Sequence, residues 1–168
     1  MTDQIQSKIF SLEDFLVKSN EWTKAGNSCV FTNGVFDLVH RGHIDYLYKA
    51  SQLGDRLIIG LNSDASVKRL EKGDDRPLIS QADRAYLLAS FFFIDAVIIF
   101  DEDTPLNLID AIKPNVLVKG GDYDPKAQKG DKKYIVGSDM VLNAGGKVDV
   151  IAFLPGYSTT ALVNKIRK

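Results

Sequence analysis

The sequence predicts an α/β protein, with a doubly wound, mainly parallel five-stranded sheet flanked by helices. Two observations predict it. Five short apolar runs, at residues 29–32, 56–61, 96–100, 116–118 and 148–153, have strand length, and the continuous run at 56–61 has the pattern of a strand covered on both faces. Segments of helical period separate them, and strands alternating with helices build parallel sheets through right-handed crossovers. The chain has 168 residues and reads as one domain, 1–168, able to bury roughly two thirds of its unfolded surface. In such a sheet ligands bind outside the carboxyl ends of the strands. Segments 33–43, 62–64, 119–122 and 156–160 all follow strands and are expected to meet at one edge.

Each element has a local reason. Ser11 caps a helix with acidic residues in its first turn and Leu12, Phe15 and Leu16 on its apolar face. It closes at Gly26, so 1–26 is read as an outer packing helix with Trp22 as a core or interface anchor. The first strand is stopped by Asn33-Gly34. Ile44, Leu47, Tyr48, Ala50 and Leu53 then fall at helical spacing, predicting a helix from near His43 to Gly54-Asp55. Asn62-Ser63-Asp64 caps a short helix through Leu70, and residues 71–77, polar with Gly73 and Pro77, read as a mobile loop. Ser80 and Asp83 open a helix carrying Ala85, Leu87, Leu88 and Phe91 to Phe93. Thr104-Pro105 starts another, with proline at its first position. Residues 122–133 are irregular, charged and expected to form a flexible or lid-like loop. Short helices at 138–143 and 158–167 complete the chain.

Composition excludes several classes. The formal net charge is −1 and no block of like charges stands out, so no nucleic-acid partner is expected. The single Cys29 excludes an intrachain disulfide, agrees with a reducing compartment and reads as a buried small hydrophobe. The first eight residues lack an apolar signal core, and the most apolar stretch, 87–100, is broken by Ser90 and Asp95 and too short for a bilayer. A cytoplasmic protein with no membrane partner is therefore expected. A homo-oligomer, a dimer or higher, is expected, with Phe91 to Phe93 and the N-terminal helix either as its surfaces or as parts of the core.

The chemistry concentrates at residues 29–43. His40 and His43, the two histidines of the chain, fall where a helix begins. The first N–H groups of a helix lack internal partners and sit at the positive end of its dipole, which suits a phosphate. Two imidazoles three residues apart on that turn can donate to one anion, and Gly42 removes a Cβ where a ligand would approach. Lys68, Arg69, Lys72 and Arg76 cluster around the 71–77 loop as a phosphate clamp or a solvated face. Asp37 is placed to orient a histidine, stabilise the turn or contact a nucleotide.

His40-Arg41-Gly42-His43 behind Asn33-Gly34-Val35-Phe36-Asp37 resembles the HxGH signature of the nucleotidyltransferase superfamily. Its members have a Rossmann-like fold and transfer a nucleotide from a nucleoside triphosphate to a phosphate acceptor, releasing pyrophosphate. Gly60-Leu-Asn-Ser-Asp64, Arg76-Pro-Leu78, Asp83-Arg-Ala85, residues 116–123 and Gly156-Tyr-Ser-Thr-Thr160 narrow the likeness. Together they look like the adenylyltransferases that make ADP-heptose for bacterial lipopolysaccharide, from about residue 7 to the end.

The resemblance implies transfer of AMP from ATP to D-glycero-D-manno-heptose 1-phosphate by direct in-line displacement, with Mg²⁺ on the phosphates. It further implies a stand-alone transferase served by a separate kinase. His40, His43 and Lys72 take the catalytic places in this likeness. Nucleotide binding falls to Thr32, Asn33, Gly34, Phe36, Asp37, Gly42, Asn62, Asp64, Arg69, Arg76, Lys119, Gly120, Gly121, Asp122, Tyr157, Ser158, Thr159 and Thr160, with no dedicated metal cage and Arg84 as a weaker candidate. A phosphate acceptor is already a nucleophile, so catalysis reduces to positioning and N–H or cationic stabilisation, where one well-placed donor supplies about 3 kcal/mol.

Two departures stand out. Residues 123–136 are longer and richer in lysine than the resemblance leads one to expect, and Leu154-Pro155 stands where glycerol-phosphate cytidylyltransferases have an arginine. The second argues against a cytidylyltransferase. Open alternatives are a cytidylyl- or adenylyltransferase acting on glycerol 3-phosphate or FMN, and a nucleotide-binding regulator without turnover.

Overall fold

The five apolar runs form strands, and a sixth strand of two residues joins them. The structure, a computed structural model, describes residues 2–70, 76–121 and 123–166. In chain order the elements are α1 (Thr2–Gln6), β1 (Ile9–Phe10), α2 (Leu12–Lys24), β2 (Cys29–Gly34), α3 (Arg41–Ser51), β3 (Arg56–Asn62), α4 (Asp64–Arg69), α5 (Gln81–Ala89), β4 (Ala96–Phe100), α6 (Leu106–Ile112), β5 (Val116–Gly120), α7 (Ser138–Asn143), β6 (Lys147–Ile151) and α8 (Thr159–Ile166). Among the described residues the sheet runs β1-β4-β3-β2-β5-β6, every pair parallel.

Both faces of the sheet are apolar, as the unalternating runs require. Val30, Leu57, Ile59, Val97 and Val118 face Leu47 and Ala50 of α3 and Leu88 of α5. Phe31, Ile58, Ile98 and Leu117 face Phe15 and Trp22 of α2 and Ile109 of α6. Successive strand residues thus enter opposite layers, and each layer is closed by helices.

Chain direction across the sheet reverses between β2 and β5, the topological switch where a crevice opens. β2 pairs with β3 from Cys29–Arg56 to Gly34–Leu61, whereas its ladder with β5 comprises Val30–Val116 and Phe31–Leu117. Beyond that point Tyr46 of α3 fills the fork: its hydroxyl meets Thr32 Oγ1 at 2.6 Å and donates to the Val118 carbonyl at 3.3 Å. Buried backbone oxygens need a donor, and this one is supplied by a side chain.

Four details differ from the sequence reading. β1 was missed because two residues carry no period; the Lys8 carbonyl accepts from Val97 N at 2.8 Å and places the strand beside β4. α3 begins at Arg41 with His40 as N-cap, and it buries Tyr46, Leu47 and Ala50 while Ile44, Tyr48 and Leu53 are exposed. α5 ends at Ala89, so the phenylalanines lie in the following turn, Phe91 stacked with Phe93 and Phe92 85% exposed. Pro105 is the N-cap of α6 rather than its first residue. Residues 123–133 are irregular, as expected, but tied: Asp124 N donates to the Lys133 carbonyl at 3.1 Å and Gln128 N to Asp131 at 2.8 Å.

Candidate active site

The site starts where β2 runs out. Phe36 has φ +49°, a left-handed backbone unusual for an aromatic residue and of the kind that gathers at functional sites. Its ring meets His43 edge-on, with centroids 5.5 Å apart. His40 is extended, and its carbonyl accepts from His43 N at 2.9 Å, opening α3. The two imidazoles stack at 4.0 Å and 23°, and the Tyr157 ring lies 6.2 Å beyond His40. The His40 N–H reaches His43 Nδ1 at 3.4 Å, so Nδ1 accepts and the ring proton rests on Nε2. Burial, and then the charge His40 would carry, push the His43 pKa down to about 4, opposed by the Leu38 carbonyl. Burial lowers His40 as well. Near neutral pH both rings are therefore neutral N–H donors. Among the described residues His40 Nδ1 is a buried side-chain atom without a hydrogen-bond partner, a polar group of the kind a ligand satisfies.

Two clefts meet at Val35, Phe36 and His43. One, of about 500 Å³, is lined by Asn33, Gly34, Asn62, Lys119, Gly120 and the rings of Tyr123, Tyr134 and Phe153, among others. The second, of about 460 Å³, contains Asp37, Arg76, Thr159 and Thr160. A cation and the opening of an eight-residue helix face His43 there, a setting for phosphate groups.

Several expected site residues hold the scaffold. The Thr32 side chain is fully buried and joined to Tyr46. Asp37 is buried; one carboxylate oxygen takes the Arg76 guanidinium, and the other accepts from Leu78 N at 2.8 Å and Ile79 N at 3.0 Å. Asp64 pairs with Arg84 at 2.7 Å, and Arg69 pairs with Asp103 at 2.6 Å. Asn62 donates to Ser66 Oγ at 3.0 Å. A Cβ at Gly42 would stand 2.9 Å from Tyr157 Cβ and 3.0 Å from His40 Cε1, so the glycine admits these rings. Gly120 and Gly121 lie under the Phe153 ring, which is edge-on to Tyr46 at 6.3 Å. Lys119 Nζ meets Asn33 Oδ1 at 2.5 Å, bridging the fork between β2 and β5, and lies 5.9 Å from the Tyr123 ring centroid. Ser158 Oγ accepts from Ala161 N at 3.0 Å, starting α8. Lys72 and Asp122 lie outside the described residues.

Arg84, a weaker candidate by sequence, is 0% exposed and reaches no cleft. It donates to the Val35, Ile79 and Asp64 oxygens, binding the turn after β2, the loop before α5 and the start of α4 together. Sequence reasoning missed Tyr46 and Phe153. Tyr46 carries a signal, standing three residues after His43 on the same helix face, whereas Phe153 does not, since it follows a strand with no motif.

Residues 31–165 match the Cytidylyltransferase-like family. The chain belongs to it. The match begins within β2 and ends within α8, so it spans the histidine turn and α3. Three curated relatives carry the name Bifunctional protein HldE. That of Geobacter metallireducens is 55% identical over 84% of this chain and 27% of its own length, and that of Nitratiruptor sp. 54% over 95% and 32%. The Campylobacter jejuni relative is 51% identical over 96% of this chain and 32% of its own. The chain thus spans about a quarter to a third of these relatives. A crystal structure of a lipopolysaccharide core biosynthesis protein from Thermoplasma volcanium is 25% identical, covering 77% of this chain and 98% of that one at TM-score 0.58. Pantoate-beta-alanine ligase from Francisella tularensis, 16% identical at TM-score 0.56 over 94% of this chain and 77% of its own, shares the fold. No helix among the described residues is long and apolar enough to cross a membrane.

Proposed function

We propose that the chain transfers AMP from ATP to D-glycero-D-manno-heptose 1-phosphate, giving ADP-heptose and pyrophosphate. The observation that carries this reading is the pair of neutral, stacked imidazoles, His43 standing at the junction of two clefts. A junction of that kind is needed where two phosphorylated substrates meet. An oxygen of the acceptor phosphate attacks the α-phosphorus, the bond from that phosphorus to the bridging oxygen breaks, and pyrophosphate leaves with the electron pair. Charge grows on the α-phosphoryl oxygens and the leaving group. His40 and His43 supply N–H donors to the former, and Arg76 with Thr159 and Thr160 receives the latter. Lys72 joins this clamp in the proposal.

The high identity to relatives named Bifunctional protein HldE and the likeness to a lipopolysaccharide core biosynthesis protein support a sugar-phosphate acceptor. Among the described residues no cluster of three His, Cys, Asp or Glu side chains is placed to hold a metal ion. Mg²⁺ belongs, in this reading, to the ATP complex that enters as substrate.

Pyrophosphate release is measured with ATP or CTP against heptose 1-phosphate, glycerol 3-phosphate and FMN. Turnover is expected with ATP and the heptose phosphate. His43→Asn should reduce kcat by about 100-fold or more, the worth of one transition-state donor. Turnover with CTP in place of ATP, or an unchanged rate in the His40→Asn, His43→Asn double variant, overturns the reading.

A further inference from the structure

The long segment between β5 and α7 reaches the main cleft from both ends. Tyr123 at its start and Tyr134 and Val136 at its end line the cavity. The placement is anchored. Ile135 is fully buried in the core layer with Phe31 and Ile109, so its neighbours Tyr134 and Val136 are turned to the cleft. Tyr134 Oη donates to Asp139 at 2.7 Å, which fixes the ring, and Gly137, at φ +84°, lets the chain turn against Ile109 into α7. The same cavity is also lined by Asn62, at the end of β3, and by Asp103 and Thr104, in the loop after β4.

This end of the cleft differs in chemistry from the cationic end. It combines aromatic faces with an amide, a hydroxyl and a carboxylate; the Asp103 carboxylate is already held by Arg69 at 2.6 Å, and the cation of this cavity, Lys119, is engaged with Asn33 and stands 5.9 Å from the Tyr123 ring centroid. A phosphate would gain little beside a carboxylate. A polyhydroxylated ring fits: its C–H face lies on an aromatic ring while its hydroxyls pair with fixed polar groups.

We propose that Tyr134, with Asn62 and Thr104 of the same cavity, forms the subsite that selects the sugar of the acceptor, the Tyr134 ring being its floor. This deepens the adenylyl-transfer reading and rests on it. The segment 123–136 is then a specificity wall.

Steady-state pyrophosphate release by the full chain tests it, with heptose 1-phosphate and glucose 1-phosphate as acceptors. Tyr134→Ala should raise KM for heptose 1-phosphate about tenfold and narrow its preference over glucose 1-phosphate, leaving KM for ATP within about twofold. Tyr134→Phe, which keeps the ring, should retain the preference. Thr104→Val, on an exposed residue that folding does not need, should raise the acceptor KM by a similar factor. A rise in KM for ATP with the acceptor KM unchanged assigns the ring to the nucleotide and overturns the proposal. So does a preference that neither Tyr134→Ala nor Thr104→Val alters. If the unaltered chain turns over no sugar phosphate, the underlying reading fails, a result distinct from either.

Discussion

Replacing Arg84 by methionine removes every donor from a side chain that is 0% exposed while keeping its apolar stem. Three oxygens lose a partner: Ile79 O at 3.0 Å, Val35 O at 2.6 Å and Asp64 Oδ1 at 2.7 Å. The Asp64 side chain is 35% exposed, so water re-solvates it and its share is about 1 kcal/mol or less. Each carbonyl left dry costs about 1–3 kcal/mol. Relief of the guanidinium's own desolvation offsets part of this, and the general range for removing one partner of a buried pair is about 3–5 kcal/mol. The expected net loss is about 3 kcal/mol, a large share of the roughly 5–15 kcal/mol that holds a domain folded. Urea unfolding followed by circular dichroism should show a midpoint lower by about 1.5 M at an unchanged slope of about 2 kcal/mol/M. A midpoint shift under about 0.3 M refutes the reasoning, since the bonds would then do no more than offset burial of the charge. Because Val35 lines both clefts, kcat/KM should also fall under conditions where the variant is fully folded.

Tyr46→Phe leaves the Thr32 hydroxyl and the Val118 carbonyl without their partner and should cost about 1–3 kcal/mol, read as a melting midpoint lower by several degrees. Asp37→Asn keeps the oxygen that accepts from Leu78 N and Ile79 N but no longer accepts from Arg76, so KM for ATP should rise about tenfold, and the buried guanidinium left unpaired should cost about 3 kcal/mol, as kinetics and urea midpoints would show. Folding should weaken in acid through His43. The unfolded imidazole takes its proton near pH 6.5 and the folded one near 4, so the unfolded chain binds more protons between these values. The contribution is complete above pH 6.5, declines as pH falls towards 4 and is on the order of a few kcal/mol. Urea midpoints measured from pH 4 to 8 should show that slope, and His43→Gln should flatten it.

The strands were legible because their residues alternate between two apolar layers and so read as unbroken runs. Val30 and Phe31 enter opposite layers, and nothing between Cys29 and Thr32 interrupts the pattern. The capping of α2 by Ser11 was equally legible, since it depends on neighbours: Asp14 N donates to Ser11 Oγ at 3.1 Å. Ile9–Phe10 was not legible as a strand, because it exists through pairing with Val97 and Ile98, almost ninety residues away. At the site, the meeting of β2, β3, β5 and α8 followed from topology. What the polar groups do there did not. A buried aspartate at the end of a turn reads alike whether it meets a nucleotide or ties down Arg76. Arg84 looks like any helical arginine until its three acceptors come together from separate segments of the chain.

The parting of β2 and β5 gives the crevice its room and sets a condition on movement there. At its base the sheet is held by a ladder, and at its mouth by the Tyr46 phenol wedged between Thr32 and Val118 and by the bond from Lys119 to Asn33, with Phe153 resting edge-on above the phenol. Any occupant that lifts Phe153 off the two glycines presses on the keystone joining the halves of the molecule. Filling the mouth and stiffening the sheet are then one event, and a loaded chain should resist unfolding from its centre outward.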